Sequence, residues 1–186
     1  MTDIVRLVWA GGYAKLTLDQ VAAELGVSKP TLYRALGDKD AVFSAALESY
    51  YRTYIQPGED HLERAATLRE AVQGCFDLNI DRMVDEHLPP GCFLTDTTTS
   101  GEFTTGLIAE TLGTLQERTL TLLHERAERA ITDGELTAET RPEAVVQYVL
   151  GQFAALSAVS RASPGRPELE QLVGFMVAGL PWNAPH

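Results

Sequence analysis

Apolar residues recur at three- and four-residue spacing along most of the chain, and alternating runs rich in β-branched residues are absent. This pattern predicts an all-α fold. Two long helices are predicted, over residues 60–86 and 102–133, each with an apolar stripe. Two further helices, over residues 142–161 and 167–179, follow them. The polar run of residues 95–100 fits either a loop or one short helix.

The first part of the chain predicts shorter helices, over residues 3–10, 17–25, 28–36 and 39–55. Gly11 and Gly12 are expected to stop the first of these helices. Thr17 stands three residues before Gln20, a capping box that opens the second helix. Pro57-Gly58 is expected to close the fourth.

Residues 17–36 therefore have the order helix, short glycine turn, helix, which is the order of a helix-turn-helix unit. The second of these helices begins after Ser28 and carries hydroxyls, cations and a tyrosine near its first turns. Such groups suit the positioning of phosphates, with few groups left to read bases. Lys39 opens the next helix, where unpaired N–H groups favour phosphate. The pattern alone is only moderately specific, because many helical hairpins bind no DNA.

The charge of the chain at first argues against a nucleic-acid partner. The 186 residues carry a formal net charge of −11, and the isoelectric point is near 4.7. DNA-binding domains are usually basic. The excess is uneven, however: residues 1–50 hold five basic and six acidic residues, whereas residues 51–186 hold ten and twenty. This asymmetry suggests two regions with different partners, and ordinary solvated surface charge is the alternative that the count alone does not overturn.

Other features of the sequence narrow the class of protein. No window approaches the roughly 18 apolar residues of a membrane span, and the N-terminus lacks the pattern of a signal peptide. Two cysteines cannot form a disulfide scaffold, so free thiols and a cytoplasmic location are expected, with no membrane partner.

The N-terminal residues closely resemble the DNA-binding domain of TetR/AcrR-family transcriptional regulators. The resemblance rests on Gly-Tyr at residues 12–13, the Thr that opens the second helix, Gly-Val-Ser at 26–28, Thr-Leu-Tyr at 31–33 and the Lys at 39. It covers about the first 50 residues. The segment 90–94, Pro-Gly-Cys-Phe-Leu, is similar to a Gly-Cys-Leu segment of some members.

The resemblance implies a homodimer of about nine helices per subunit, with a DNA-binding domain over residues 1–50 and an effector-binding and dimerisation domain over residues 51–186. The third helix would enter the major groove of a pseudo-palindromic operator, and a small molecule would release the DNA. Eight residues fall at positions that imply DNA contact: Thr17, Ser28, Lys29, Pro30, Thr31, Tyr33, Arg34 and Lys39. Among these, Lys29, Pro30 and Arg34 are expected to reach bases, whereas Tyr33 and Lys39 are expected to hold phosphates.

Three departures from the family pattern bear on affinity. Ala35 stands where a His or another polar residue is common, and Leu36 replaces the usual Phe. The chain begins 11 residues before Gly12, so a short first helix without a basic arm is expected. Modest affinity that depends on dimerisation is the expected result.

A ligand pocket is expected among aromatic residues of the second domain, although aromatics at helical spacing are as often plain core. The candidate lining residues are Tyr54, Phe76, Asn79, Met83, Phe93, Phe103 and Phe153. Asn79 is the best candidate for a polar pocket group, because it interrupts an apolar stripe. The acidity of this domain weakly favours a cationic ligand.

Cys75, Asn79, Met83 and His87 follow one another at four-residue steps on one helix face. Such a row suits a soft metal, which makes a metal- or thiol-responsive sensor the alternative function. Core packing is the favoured interpretation, since no closely spaced pair of ligands is present, so neither a metal nor a cofactor is expected. A helical enzyme is the remaining alternative; the chain has no nucleophile-elbow, zincin, P-loop or dinucleotide motif, and no catalytic residue is assigned.

The last two predicted helices carry small residues and broad apolar faces. The small residues are Gly151, Ala154, Ala155, Ser157 and Ala158. A homodimer through these helices is expected, with internal packing as the alternative.

Overall fold

The computed structural model of the chain describes residues 2–184. Its helices, numbered in chain order, are α1 (Thr2–Lys15), α2 (Leu18–Glu24), α3 (Lys29–Leu36), α4 (Lys39–Tyr50), α5 (Gln56–Arg64), α6 (Leu68–Met83), α7 (Phe93–Thr99), α8 (Gly106–Thr132), α9 (Pro142–Ser160) and α10 (Arg166–Ala178). Within the described residues the β pairing is one isolated antiparallel bridge, between Leu136 and Trp182. The predicted all-α class is confirmed.

The helix-turn-helix forms as its capping residues predict. The Thr17 hydroxyl accepts a hydrogen bond from the Gln20 N–H at 3.3 Å, and the Gln20 side chain accepts one from the Thr17 N–H at 3.2 Å. Ser28 caps α3 in the same way, accepting from the Thr31 N–H at 3.3 Å. Gly26, with φ of 65°, makes the turn between α2 and α3 in a conformation that favours glycine.

The prediction that the first helix stops at Gly11-Gly12 agrees with the geometry of α1. Gly12 is not helical, with φ of 65° and ψ of 178°, so Thr2–Lys15 consists of two helical segments that meet at this residue. Glycine adopts this geometry without steric cost, and the chain continues beyond it in a short second segment that ends at Lys15. Tyr13 is thereby carried on the last turn of α1.

The prediction that Pro57-Gly58 closes the fourth helix is wrong. A π turn, Tyr51–Ile55, follows α4 directly, and α5 continues from it without a break. The π turn changes the hydrogen-bond register just before Pro57, which lies in the first turn of α5, where a proline is tolerated. If α4, the π turn and α5 are counted as one rod, the described residues form nine helices, as predicted.

The long helix predicted over residues 60–86 is in fact two helices. Ala65 leaves the helical conformation, with ψ of 143°, and Thr67 caps α6 by accepting from the Glu70 N–H at 3.1 Å. The break lets α5 and α6 fold back against each other. The second long helix, α8, begins at Gly106 instead of residue 102.

The polar run of residues 95–100 contributes to a short helix, α7. Its threonine hydroxyls donate to the carbonyl four residues earlier: Thr97 to Phe93 at 2.7 Å and Thr98 to Leu94 at 2.9 Å. Such back-bonding satisfies hydroxyls inside a helix.

Two apolar clusters make up the core. One lies among α6, α8, α9 and α10, and the other joins α1–α4 to α7 and the first turns of α8. The predicted division at residues 50/51 falls inside the continuous α4–α5 rod, and the second cluster extends across it; this boundary remains a prediction. No described helix combines the length and apolarity that crossing a bilayer requires.

Candidate DNA interface and ligand cavity

The face of α3 that points away from the core carries the predicted DNA contacts. Leu32, 1% exposed, anchors the helix, and Tyr33 on the other side is 59% exposed. Lys29, Thr31 and Arg34 are exposed as well, as is Pro30 in the first turn. An anchored helix with an exposed polar face is the geometry that groove insertion requires.

The hydroxyl groups among the predicted contacts are already used in local structure. Thr17 donates to the Gln20 side chain at 2.9 Å while capping α2. The Ser28 hydroxyl lies 2.8 Å from that of Thr31 while capping α3. These bonds fix the two helix starts and hold the hydroxyls at the surface.

The three cations of the interface have different surroundings. Lys29 Nζ forms a surface ion pair of 2.9 Å with Asp19. Lys39 Nζ lies 4.2 Å from the centre of the Tyr13 ring, a cation–π contact. Arg34 forms no ion pair within residues 2–184. Arg34 is therefore available to a phosphate or a guanine without first leaving a partner.

Tyr13 links the end of α1 to the start of α4. Its hydroxyl donates to Asp40 at 2.5 Å, and this bond is the main reason why its pKa rises to about 12. Phe43 and Phe103 both pack edge-on against the Tyr13 ring, with ring centres 5.4 and 5.1 Å away. The ring that Lys39 contacts is thus fixed by two aromatic neighbours.

A cavity of about 250 Å³ lies among the π turn, α5, α6, α7, α8 and α9. Three of the seven predicted pocket residues line it: Tyr54, Asn79 and Phe153. Phe93 and Phe103 instead line a second, more open cavity of about 350 Å³ between α1 and α7.

The remaining two predicted pocket residues line neither of these cavities. Phe76 is 1% exposed and packs against Phe153, with 4.5 Å between ring centres, so it contacts a lining residue without lining the cavity itself. Met83 packs against the α6–α10 core. Both are apolar side chains on the α6 stripe, which sequence alone does not separate from a pocket wall.

Glu59 is a cavity residue that sequence analysis missed. It is 2% exposed, and its carboxylate accepts hydrogen bonds from the Thr119 hydroxyl and, at 2.5 Å, from the Tyr51 hydroxyl. Arg118 Nε lies 3.5 Å away. In the sequence Glu59 is one of several acidic residues near a proline, and only the tertiary fold shows that it is buried.

Asn79 connects the cavity wall to a buried cation. Its side-chain N–H donates to the Cys75 carbonyl at 2.9 Å, and its oxygen accepts from Arg82 at 2.7 Å. Arg82 is 6% exposed and also donates to the Gly91 carbonyl at 2.5 Å. No carboxylate pairs with it among residues 2–184.

The guanidinium of Arg82 reaches α1 and the end of α4. Its central carbon lies 5.7 Å from the Trp9 ring centre in α1 and 5.8 Å from that of Tyr50 at the end of α4. Tyr54 packs on both of these rings, at 6.3 and 5.1 Å, and itself lines the cavity. The contacts among Arg82, Trp9, Tyr50 and Tyr54 therefore connect the cavity to α1.

Both cysteines are free and line the cavity. The Cys75 thiol donates to the Gly58 carbonyl at 3.2 Å, and burial, with Glu59 nearby, raises its pKa to about 12. The Cys92 sulfur accepts from the Tyr50 hydroxyl at 3.3 Å. His87, the end of the predicted row, is exposed, and no three His, Cys, Asp or Glu residues among those described are placed to hold a metal.

The outer faces of α9 and α10 leave apolar side chains in solvent. Phe175 is 68% exposed and Val159 is 43% exposed. A Cβ added at Gly151 or Gly174 would meet nothing within 4 Å. The opposite side of α10 is buried, so the exposed stripe is a separate surface.

Comparison with known proteins places both halves of the chain. The family described as "Bacterial regulatory proteins, tetR family" matches residues 3–46. The family described as "Tetracyclin repressor-like, C-terminal domain" matches residues 66–172, more than half of the chain. The HTH-type transcriptional repressor ComR of Escherichia coli (strain K12) is 28% identical over 120 residues, which are 62% of this chain and 57% of ComR. The chain therefore spans little more than half the length of this relative.

Two solved structures share the fold. One is the TetR family transcriptional regulator CifR, a cysteine mutant in complex with 26-bp double-strand operator DNA; it has a TM-score of 0.81 and 23% identity, covering 96% of this chain and 93% of that chain. The other is the transcriptional regulator FadR from Bacillus subtilis in complex with stearoyl-CoA, with a TM-score of 0.75 and 16% identity, covering 96% of each chain.

Proposed function

This chain belongs to the tetR family of bacterial regulatory proteins, and we propose that it is a ligand-responsive transcriptional repressor that binds a pseudo-palindromic operator as a homodimer. The observation that carries the proposal is the capped, family-matched helix-turn-helix, whose α3 is anchored by Leu32 and exposes Tyr33 and Arg34. The family is one of regulators, so no catalytic residues are assigned. A cytoplasmic location, where the operator is, belongs to the same proposal.

In the proposed complex α3 enters the major groove. Lys29, Pro30 and Arg34 reach base edges, and Tyr33 and Lys39 hold phosphates together with the hydroxyls of Thr17, Ser28 and Thr31. Lys29 must break its ion pair with Asp19 to contact DNA, whereas Arg34 has no acidic partner among residues 2–184. The near-neutral N-terminal domain offers few cations, so binding depends on two copies of α3 held by the dimer.

The proposed effector site is the cavity of about 250 Å³, which is enclosed by helices of the second domain. Its walls are mostly apolar with a few polar groups, which is typical of small-molecule sites. That FadR was solved with stearoyl-CoA supports the placement of a ligand in this fold. We assign no cofactor.

The proposed dimer forms through the outer faces of α9 and α10. Phe175 and Val159 would leave solvent there, and the open glycines Gly151 and Gly174 would let the helices of two subunits approach closely. Apolar side chains exposed on adjacent helices are typical of such interfaces.

The proposed signal from ligand to DNA uses the contacts between the cavity and α1. A ligand that favours one arrangement of Asn79 moves Arg82, which touches Trp9 of α1 and Tyr50 of α4. The α4–α5 rod carries the same displacement, because its π turn lines the cavity and its first residue is Lys39. A ligand with greater affinity for one dimer arrangement shifts the spacing of the two α3 helices.

A thiol-responsive version of the same regulator is the second candidate. It is favoured by the position of both Cys75 and Cys92 on the cavity wall. The raised pKa of Cys75 opposes it, because the thiolate is the reactive form. The first candidate requires no covalent step.

A mobility-shift assay with a selected operator tests the proposal. We expect Lys39→Ala and Tyr33→Ala to lower affinity about tenfold, since each removes a phosphate contact from both subunits. Glu48→Ala, an exposed change further along α4, is the matched control. Unchanged affinity of both interface variants, with unchanged thermal unfolding, would contradict the role assigned to α3 and α4.

A further inference from the structure

The charge of the cavity wall restricts what the cavity can hold. Within residues 2–184, Glu59 is the only Asp or Glu among the side chains that line it, and no Lys, Arg or His lines it. Two hydroxyl donors, from Tyr51 and Thr119, point at the Glu59 carboxylate. Both hydroxyls are therefore used in holding this carboxylate at the cavity wall.

The cations around Glu59 do not neutralise the acidic residues there. Arg118 lies within 3.5 Å of Glu59, Asp60 and Glu63. Arg64 adds one further ion pair, with Asp60 at 3.4 Å. Three carboxylates therefore share two guanidinium groups, but Asp60 and Glu63 do not line the cavity, so among the described residues Glu59 is the acidic group of its wall.

The other walls suit an apolar cation. Tyr54 and Phe153 present aromatic rings, which attract ammonium groups through their faces. Leu62, Val72 and Leu123 supply buried apolar surface beside them. Burial strengthens the attraction between a cation and Glu59, because the effective dielectric constant is lower than in water.

We propose that this cavity binds a small organic cation, an apolar body bearing a protonated amine, and that the Glu59 carboxylate is the group that selects it. This inference rests on the proposed function, since it names the ligand class of the effector site. An anionic ligand would meet a buried carboxylate and no Lys, Arg or His among the described lining residues, because Arg118 and Arg82 lie behind the wall and already bind Glu59 and Asn79. A volume of about 250 Å³ also limits the body to roughly the size of one or two rings.

A matched probe series tests the charge preference without DNA. Benzylammonium, benzyl alcohol and benzoate share one ring, as do 4-phenylbutylammonium and its alcohol and acid, and each is titrated by calorimetry into the wild-type protein. We expect the ammonium member of at least one series to bind at least about tenfold more tightly than its alcohol, and its acid to bind least. Equal binding of the acid, or no binding of either ammonium at millimolar concentration, would overturn the proposal.

Glu59→Gln identifies the selecting group. It keeps the side-chain size and one acceptor oxygen, and we expect it to lower ammonium affinity about tenfold while leaving alcohol affinity within about twofold. Asp60→Asn removes a neighbouring charge that does not line the cavity, and is expected to change ammonium affinity by less than about threefold. An unchanged ammonium affinity in Glu59→Gln would contradict the assignment. If Glu59→Gln unfolds, the wild-type series alone still decides the charge preference.

Operator binding is measured separately, with no probe present. If the wild-type protein binds no operator, the proposed function is contradicted, and the charge preference of the cavity can still be measured. The reverse result, operator binding with an anion-selective cavity, would remove only the ligand class.

Discussion

The guanidinium of Arg82 donates a hydrogen bond of 2.7 Å to the side-chain oxygen of Asn79, and in this way a buried cation of α6 is tied to the wall of the ligand cavity. The same guanidinium lies against Trp9 of α1 and Tyr50 of α4. A ligand that contacts Asn79 is therefore connected, through the single Asn79–Arg82 hydrogen bond, to a side chain that contacts α1.

Asn79→Ala tests this connection. It leaves one Arg82 nitrogen without its acceptor in a buried place, so we expect the free energy of unfolding to fall by about 1–3 kcal/mol. We expect operator affinity to stay within about threefold and ligand-induced release to weaken. Urea unfolding and a mobility-shift assay measure the two effects. Asn79→Asp, which keeps an acceptor for Arg82, is the control, and full ligand response in Asn79→Ala would count against the connection.

Asp19→Asn tests the state of Lys29. The substitution removes a carboxylate that pairs with Lys29 at 2.9 Å, on the surface that we propose faces DNA. We expect operator affinity to rise about three- to tenfold at low salt, and the dependence of affinity on salt to steepen, because the freed Lys29 of each subunit adds one uncompensated positive charge beside the DNA. Fluorescence anisotropy across a salt series measures both. Glu24→Gln, also on α2, is the matched control. Lower affinity in Asp19→Asn would show that the ion pair positions Lys29 for DNA.

Tyr13→Phe tests the link between α1 and α4 through pH. The pKa of Tyr13 is raised to about 12, chiefly because its hydroxyl donates to Asp40. A raised pKa in the folded state means that this contribution is complete below about pH 10, the ordinary tyrosine value, and is lost between about pH 10 and 12.

We therefore expect wild-type stability to fall over that pH interval more steeply than the stability of Tyr13→Phe. At pH 7 the variant loses about 1 kcal/mol, the contribution of one hydrogen bond. Thermal unfolding as a function of pH measures the difference. Parallel alkaline curves for the two proteins would contradict the assigned bond.

Phe175→Glu tests the proposed dimer surface. Phe175 is 68% exposed in the single chain, and a carboxylate in each copy would be desolvated or repelled at an interface on α10. We expect the variant to sediment as a monomer and to bind operator at least about tenfold more weakly. Leu107→Glu places the same charge at an exposed apolar position of α8 and should remain dimeric. A dimeric Phe175→Glu protein would place the interface elsewhere.

Much of the fold could be predicted because local signals dominate it. The Thr17 capping box and the Ser28 cap each specify a helix start through one or two side-chain bonds, and the structure contains both. Where the prediction fails, a second local factor is decisive. Pro57 predicts a helix end, but the π turn before it makes the proline compatible with a continuing helix. Thr67 is a cap within an otherwise helical pattern.

The candidate sites were less accessible to sequence analysis. Glu59 and Arg82 are charged residues that sequence composition assigns to the surface, yet they are 2% and 6% exposed. Their burial follows from contacts with residues up to 73 positions away, such as Arg82 with Trp9. Phe76 of α6 and Phe153 of α9 each belong to an apolar helix stripe, so the sequence does not distinguish them. The packing of α6 on α9 places Phe153 in the cavity wall and Phe76 behind it.

The central claim is that two copies of α3 read an operator, and selection of bound fragments from a random duplex library tests it most directly. We predict that the wild-type protein enriches a two-fold symmetric sequence, with half-site centres about 34–36 Å apart or a multiple of that distance. We predict that Arg34→Ala weakens the base preference inside each half-site. A wild-type pool that remains indistinguishable from the starting library would contradict the account.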